Sequence, residues 1–105
     1  MITRGTTPTH TFIIPIIIPE LSIISIAYKQ RESIKIDKCF DDCVITTDEQ
    51  LVQTKIITTL TEQETLSLKE GSVLIQLRLG DSNGMRYASR IMKTNVADIL
   101  KDGAL

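Results

Sequence analysis

The chain reads as an all-β domain, an antiparallel immunoglobulin-like β-sandwich of about seven strands with one short helix. Three observations predict this. Val73, Ile75, Leu77 and Leu79 alternate with Ser72, Leu74, Gln76 and Arg78, the two-residue period of a strand with one buried face. Asp81-Ser82-Asn83-Gly84 follows, where Asn83-Gly84 tolerates positive φ in a tight hairpin turn, and Met85 to Val96 is again rich in strand formers. Ile and Thr are abundant and Trp is absent, so β-branched residues outweigh the helix formers Ala and Glu.

Taken in order, residues 1–8 are polar and Thr-rich and read as an extended N-terminal arm of a single domain spanning 1–105. Thr9 to Ile18 is a first strand that Pro15 demotes to a sheet edge or marks as bulged. Pro19-Glu20 turns the chain into a second strand, Leu21 to Lys29, and Gln30-Arg31-Glu32 turns it again. Ser33 to Phe40 is the third strand, with Ile34 and Ile36 on one face and Lys35 and Asp37 on the other. Asp41-Asp42 breaks the run before a short fourth strand, Cys43 to Thr47, and Asp48-Glu49-Gln50 leads to the fifth, Leu51 to Leu60. The period then changes. Thr61-Glu62-Gln63-Glu64 is a capping-box pattern that starts one or two helical turns, ended by Lys69-Glu70-Gly71. The hairpin supplies the last two strands. Val96 to Leu100 then ends the fold as a helical turn or a frayed strand end.

At 105 residues and 11.7 kDa the chain has room for one core. Aromatic residues are only 4%, so that core must be built from Ile, Leu and Val. Net charge is −1, with twelve basic and thirteen acidic residues interleaved along the chain. Such a balance argues against an electrostatic nucleic-acid binder and offers no polybasic segment to a membrane. Phe12 to Ala27 is strongly apolar, but Pro15, Pro19, Glu20, Ser22 and Ser25 interrupt it too often for a spanning helix. It lacks the basic start of a signal peptide, so no export is expected.

No residue set points to catalysis or a cofactor. His10 is the only histidine, has no evident nucleophile or orienting carboxylate beside it, and reads as a surface residue. Glu32, Asp41, Asp42, Asp48 and Glu49 sit in turns without the spacing of a calcium loop. Cys39 and Cys43 are too few for a zinc site, and an extended segment would hold them about 13 Å apart, beyond disulfide reach unless a turn at Asp41-Asp42 folds it back. They read as reduced structural cysteines. Gly80 to Gly84 is explained by its turn rather than by phosphate binding. Arg78, Arg86 and Arg90 on the hairpin read as part of a salt-bridged outer face.

The opening Met1-Ile2-Thr3-Arg4-Gly5-Thr6-Thr7-Pro8-Thr9-His10-Thr11-Phe12 resembles the start of a family of small proteins encoded among the tail and structural genes of phages and prophages of Firmicutes. The similarity continues through Leu60 to Leu66, Ile75-Gln76-Leu77-Arg78, Ala88-Ser89 and Leu100-Lys101-Asp102-Gly103. Ile13 to Ile26 departs from the family in being more uniformly apolar. The resemblance implies a non-enzymatic structural or assembly role in a tail or baseplate, in the bacterial cytoplasm during assembly and then in the virion. A cytosolic protein-binding regulatory module is the alternative. The partners expected are further copies of the chain or other phage structural proteins, with no cofactor, metal, nucleic acid or membrane. The apolar surplus of the first two strands nominates Ile13, Ile14, Ile16, Ile17 and Ile18 as the association surface.

Overall fold

The computed structural model describes residues 1–105, with 55% of them in strands and 8% helical. The chain is mostly β, as its periodicity predicts, and its nine strands form two sheets. The larger, a curled mixed sheet, runs β1 (Ile2–Thr3), β9 (Met92–Ala97), β7 (Gly71–Asp81), β3 (Leu21–Gln30), β4 (Ser33–Cys39), and β8 (Arg86–Ala88) pairs with β7 beyond the end of β9. The smaller runs β2 (Thr9–Ile14), β6 (Gln53–Thr59), β5 (Cys43–Asp48). Every pairing is antiparallel except β1 with β9.

The inner faces share one hydrophobic cluster. Ile24, Ile26 and Tyr28 of β3 and Val73, Ile75, Leu77 and Leu79 of β7 are buried with Ile56 of β6, and Phe12, Ile14 and Ile45 pack against them. A 3-10 turn, Phe40–Asp42, carries the chain from β4 into β5 and so joins the two sheets along one margin. The helix α1 (Glu62–Leu66) opens with the reciprocal cap its sequence predicts: Glu64 N–H donates to Thr61 Oγ1, and Thr61 N–H donates to Glu64 Oε1. Buried Gln30 ties the segment after α1 to β3, donating to the carbonyls of Lys69 and Ser72 and accepting from Lys69 N–H.

Several sequence expectations differ from what is found. Residues 1–8 are not an arm. Ile2 is buried and pairs with Val96, and the Arg4 guanidinium donates to the carbonyls of Leu66 and Leu68 while pairing with Asp98 and Asp102. That guanidinium holds the Asp98 carboxyl below the usual carboxylate range. Ile34 does not share the inner face with Ile36. The register shifts on β4 so that Lys29 pairs with Ile34 and Tyr28 with Ile36; the extra residue, Lys35, turns Ile34 outward beside Lys29. The expected continuous strand from Met85 to Val96 is divided into β8 and β9; of the two endings expected after it, the strand end is found, with β9 running to Ala97 and no helical turn following. In the β7–β8 turn only Gly84 has positive φ. Asp81 accepts from the amides of Asn83 and Met85, giving a four-residue turn whose last residue is the left-handed glycine.

The β3–β4 turn is strained in a way its sequence disguises. Arg31 and Glu32 both have positive φ, at 51° and 74°, in a two-residue hairpin that normally takes Asn-Gly. A left-handed side-chain-bearing residue costs about 1 kcal/mol, and glycine returns part of that through the freedom of the unfolded chain. Glu32→Gly is therefore expected to raise stability by about 0.5 kcal/mol, read by calorimetry as a melting point a few degrees higher. A lower melting point would mean that the Glu32 side chain stabilises the turn by more than its conformation costs.

Candidate association cleft

Opposite the β4–β5 margin the two sheets do not meet. An apolar cleft of about 600 Å³ opens there, walled on one side by Phe12 to Ile14 of β2 with Pro15 and Ile16 after it, and on the other by Leu77, Leu79, Tyr87 and Met92 of the large sheet with Ser89 and Arg90 between β8 and β9. Both walls end in strand edges. Leu60 N–H donates to Pro8 C=O, which fixes the hydrogen-bonded pairs of β2 as His10 with Thr58, Phe12 with Ile56 and Ile14 with Thr54. Thr9, Thr11 and Ile13 therefore turn their N–H and C=O groups away from β6, toward the open edge. On β8, Met85 and Ser89 bond back to β7, so Arg86 and Ala88 turn theirs outward.

The five nominated isoleucines divide by position. Ile13 and Ile16 are 59% and 41% exposed. Ile14 is half-buried and lines the cleft; Ile17 is also half-buried. Ile18 is only 7% exposed and belongs to the core, which removes it from any contact surface. The first strand ends at Ile14 rather than Ile18; beyond it Thr54 Oγ1 donates to Ile16 C=O and draws the chain across the end of the sheet.

The other wall of the cleft was not singled out from sequence. The signal lies in Ile91-Met92, an apolar doublet that breaks the alternation of the last strand and marks where β8 gives way to β9. Gly80 is a second signal, since glycine inside a strand marks close approach. A Cβ there would stand 2.9 Å from Arg86 Nη1, whose guanidinium lies over the glycine and donates to Met85 C=O. The expected salt-bridged face is absent. Arg78, Arg86 and Arg90 make no ion pair; the ion pairs are those of Arg4 and the one between Lys38 and Glu64.

Between the sheets lies a polar group that sequence did not assemble. His10 is half-buried rather than on the surface, its Nδ1 2.6 Å from the Tyr28 hydroxyl and its ring stacked on that of Tyr28. Burial, with the chain's N-terminal charge, lowers the His10 pKa, and burial followed by the Glu64 and Cys43 charges raises that of Tyr28. Both are neutral near pH 7. Lys38, on the inward face of β4, pairs with Glu64 at 2.6 Å.

The 3-10 turn does fold the cysteine segment back. The Cys39 thiol donates to Asp42 Oδ2, the Cys43 thiol donates to Cys39 C=O, and both cysteines are free. The Cys39 amide and thiol hold the Asp42 carboxyl below its ordinary range, while burial pushes the Cys43 thiol up. Glu32 stands in the β3–β4 turn, away from Asp41 and Asp42 in the 3-10 turn and from Asp48 and Glu49 after β5, and no three such ligands converge. No helix is long and apolar enough to cross a membrane. No protein-family model, curated protein or solved structure matches the chain.

Proposed function

We propose that this chain is a non-enzymatic structural or assembly protein of a phage or prophage, of immunoglobulin-like sandwich type, that works by protein–protein association in a tail or baseplate. The observation that carries the association is the pair of exposed isoleucines, Ile13 and Ile16, beside an unpartnered strand edge and an apolar cleft. The place in a tail or baseplate rests on the family resemblance of the opening residues and the later segments. Assembly in the bacterial cytoplasm, followed by incorporation into the virion, accords with that resemblance.

Burying each exposed isoleucine is worth on the order of 1.5 kcal/mol, about tenfold in affinity. Ile13→Thr with Ile16→Thr keeps the strand and removes that apolar surface, and is expected to weaken association about a hundredfold. Light scattering across a concentration series reads this directly. A wild type that stays monomeric, or a double variant that associates equally well, overturns the reading.

A further inference from the structure

We infer that the contact between His10 and Tyr28 is an acid-sensitive latch: a proton on the His10 ring breaks it and loosens β2 from the face of β3, opening the cleft that β2 walls. This goes beyond the association proposed above and holds whether or not the cleft takes a partner. The place of the pair is the first argument. His10, Phe12 and Ile14 are the inward side chains of β2, and the first of them meets Tyr28 of β3, which is fully buried. No other side-chain hydrogen bond joins a strand of one sheet to a strand of the other. The rest of the inward contact of β2 is apolar, from Phe12 and Ile14.

The chemistry of the bond is the second argument. The Tyr28 hydroxyl has no acceptor but His10 Nδ1, at 2.6 Å, so it donates and the neutral ring keeps its own proton on Nε2. An added proton must therefore go to Nδ1. That nitrogen then donates to the Tyr28 oxygen, and the hydroxyl hydrogen is left enclosed with no acceptor. Orphaning a buried donor shifts the balance against the latched form by about tenfold or more. The face of the Tyr28 ring, stacked on His10, attracts a charged imidazole by only about two- to fivefold.

The surroundings do not favour the charge either. The ionisable groups packed around the pair are Lys38 of β4, Glu64 of α1, Cys43 of β5 and the N-terminal amine. Two of these are cations. Cys43 lies across Thr58 of β6 from His10, and burial keeps its thiol protonated. The Glu64 carboxylate is already held by Lys38 and by Thr61 N–H, and Asp42, beyond Cys43, by the Cys39 amide and thiol. Thr9 and Thr11, the neighbours of His10 along β2, carry no charge.

The pH window follows from the direction of the shift. Burial and the N-terminal charge lower the His10 pKa from its ordinary 6.5, so the folded chain binds this proton more weakly than the unfolded chain. The latch contributes fully above about pH 6.5 and is lost as pH falls through the lower folded value. The carboxyl groups of Asp42, Glu64 and Asp98 also have lowered values, but their losses begin only below their ordinary 3.8 to 4.5. His10 is the only histidine, which leaves the interval between pH 7 and pH 5 to the latch.

The test is urea unfolding of the full chain at pH 7 and pH 5, together with fluorescence of the apolar dye anilinonaphthalene sulfonate. In the wild type the loosened population should rise about tenfold in acid, read as a lower urea midpoint and more bound dye. His10→Gln offers Tyr28 an amide oxygen that does not titrate, and should leave both readings level. Tyr28→Phe keeps the ring and removes the hydroxyl, so the nuclear magnetic resonance signal of the His10 ring should titrate closer to 6.5 than in the wild type.

A wild type equally stable at both pH values, an acid step that persists in His10→Gln, or a His10 titration unmoved by Tyr28→Phe overturns the latch. So does a lower midpoint without added dye, because acid would then weaken the fold without opening the cleft. If His10→Gln does not fold, the titration shift in Tyr28→Phe decides alone.

Discussion

Replacing Leu77 with Ala is expected to cost about 3 kcal/mol of stability, while Leu74→Ala three residues earlier costs less than about 0.5 kcal/mol. The two leucines share β7, a central strand of the large sheet, but face opposite ways. Leu77 is 2% exposed and packs in the cluster between the sheets; Leu74 is 40% exposed on the outer face. Removing the Leu77 side chain loses its transfer free energy and leaves a void that neighbours on two packed layers cannot fully close. Since a domain of this size has roughly 5–15 kcal/mol in hand, the change is a large fraction of the whole. Urea unfolding of both variants measures it. Equal losses would mean that the outer face of β7 is covered, contrary to its exposure.

Glu64→Gln is the second large effect, expected to cost about 2 kcal/mol, with Lys38→Met costing less. The asymmetry comes from burial. The Lys38 side chain is 7% exposed and that of Glu64 27%. The amide side chain introduced by Glu64→Gln would keep the bond from Thr61 N–H but leave a lysine charge enclosed without a counter-charge, the expensive half of breaking a buried pair. Methionine at position 38 removes the enclosed charge and lets the Glu64 carboxylate turn to water, still capping α1. The usual cost of roughly 3–5 kcal/mol for a buried pair is reduced here because Glu64 is partly hydrated. Burial works to raise the Glu64 pKa, but the hydrogen bonds from Lys38 and Thr61 outweigh it and the net shift is downward. The folded state thus binds this proton more weakly than the unfolded state. Its contribution is complete above the ordinary glutamate value near 4.5 and is lost as pH falls through the lower folded value. Unfolding at pH 7 and again below pH 4 should show the gap between wild type and Glu64→Gln shrinking in acid. A gap that does not change with pH would mean that the pair contributes through shape alone.

The strands were legible wherever two signals coincided. The alternation of Val73 to Leu79 marked its buried face because three residue pairs repeat the period, and the Thr61-to-Glu64 cap was readable because it is local. What failed was non-local. Nothing near Ile2 announces that its partner is Val96, and a two-residue strand has no period to detect. Ile34 was misassigned because a bulge shifts facing by one residue without leaving a mark in composition. The candidate surface was half legible: excess apolar character around Ile13 is visible in sequence, but which isoleucines remain outside depends on the strand ending at Ile14. His10 beside Tyr28, and the three arginines without carboxylate partners, depend on which sheet each strand joins.

The pairing of β1 with β9 also governs the order of folding. The hydrogen bond between Arg4 and Asp98 bridges 94 positions, among the longest loops this chain can close. The hairpin of β3 with β4 and that of β5 with β6 close over a few residues and form early; the loop joining the two ends loses more chain entropy for a contact only two residues wide. During synthesis Ile2 is made long before Val96 and Ala97, yet it finds its place only once they have been made and β9 has docked on β7. The clasp is thus a late step, and until it forms, the edge of β9 that β1 will cover stays open to other chains.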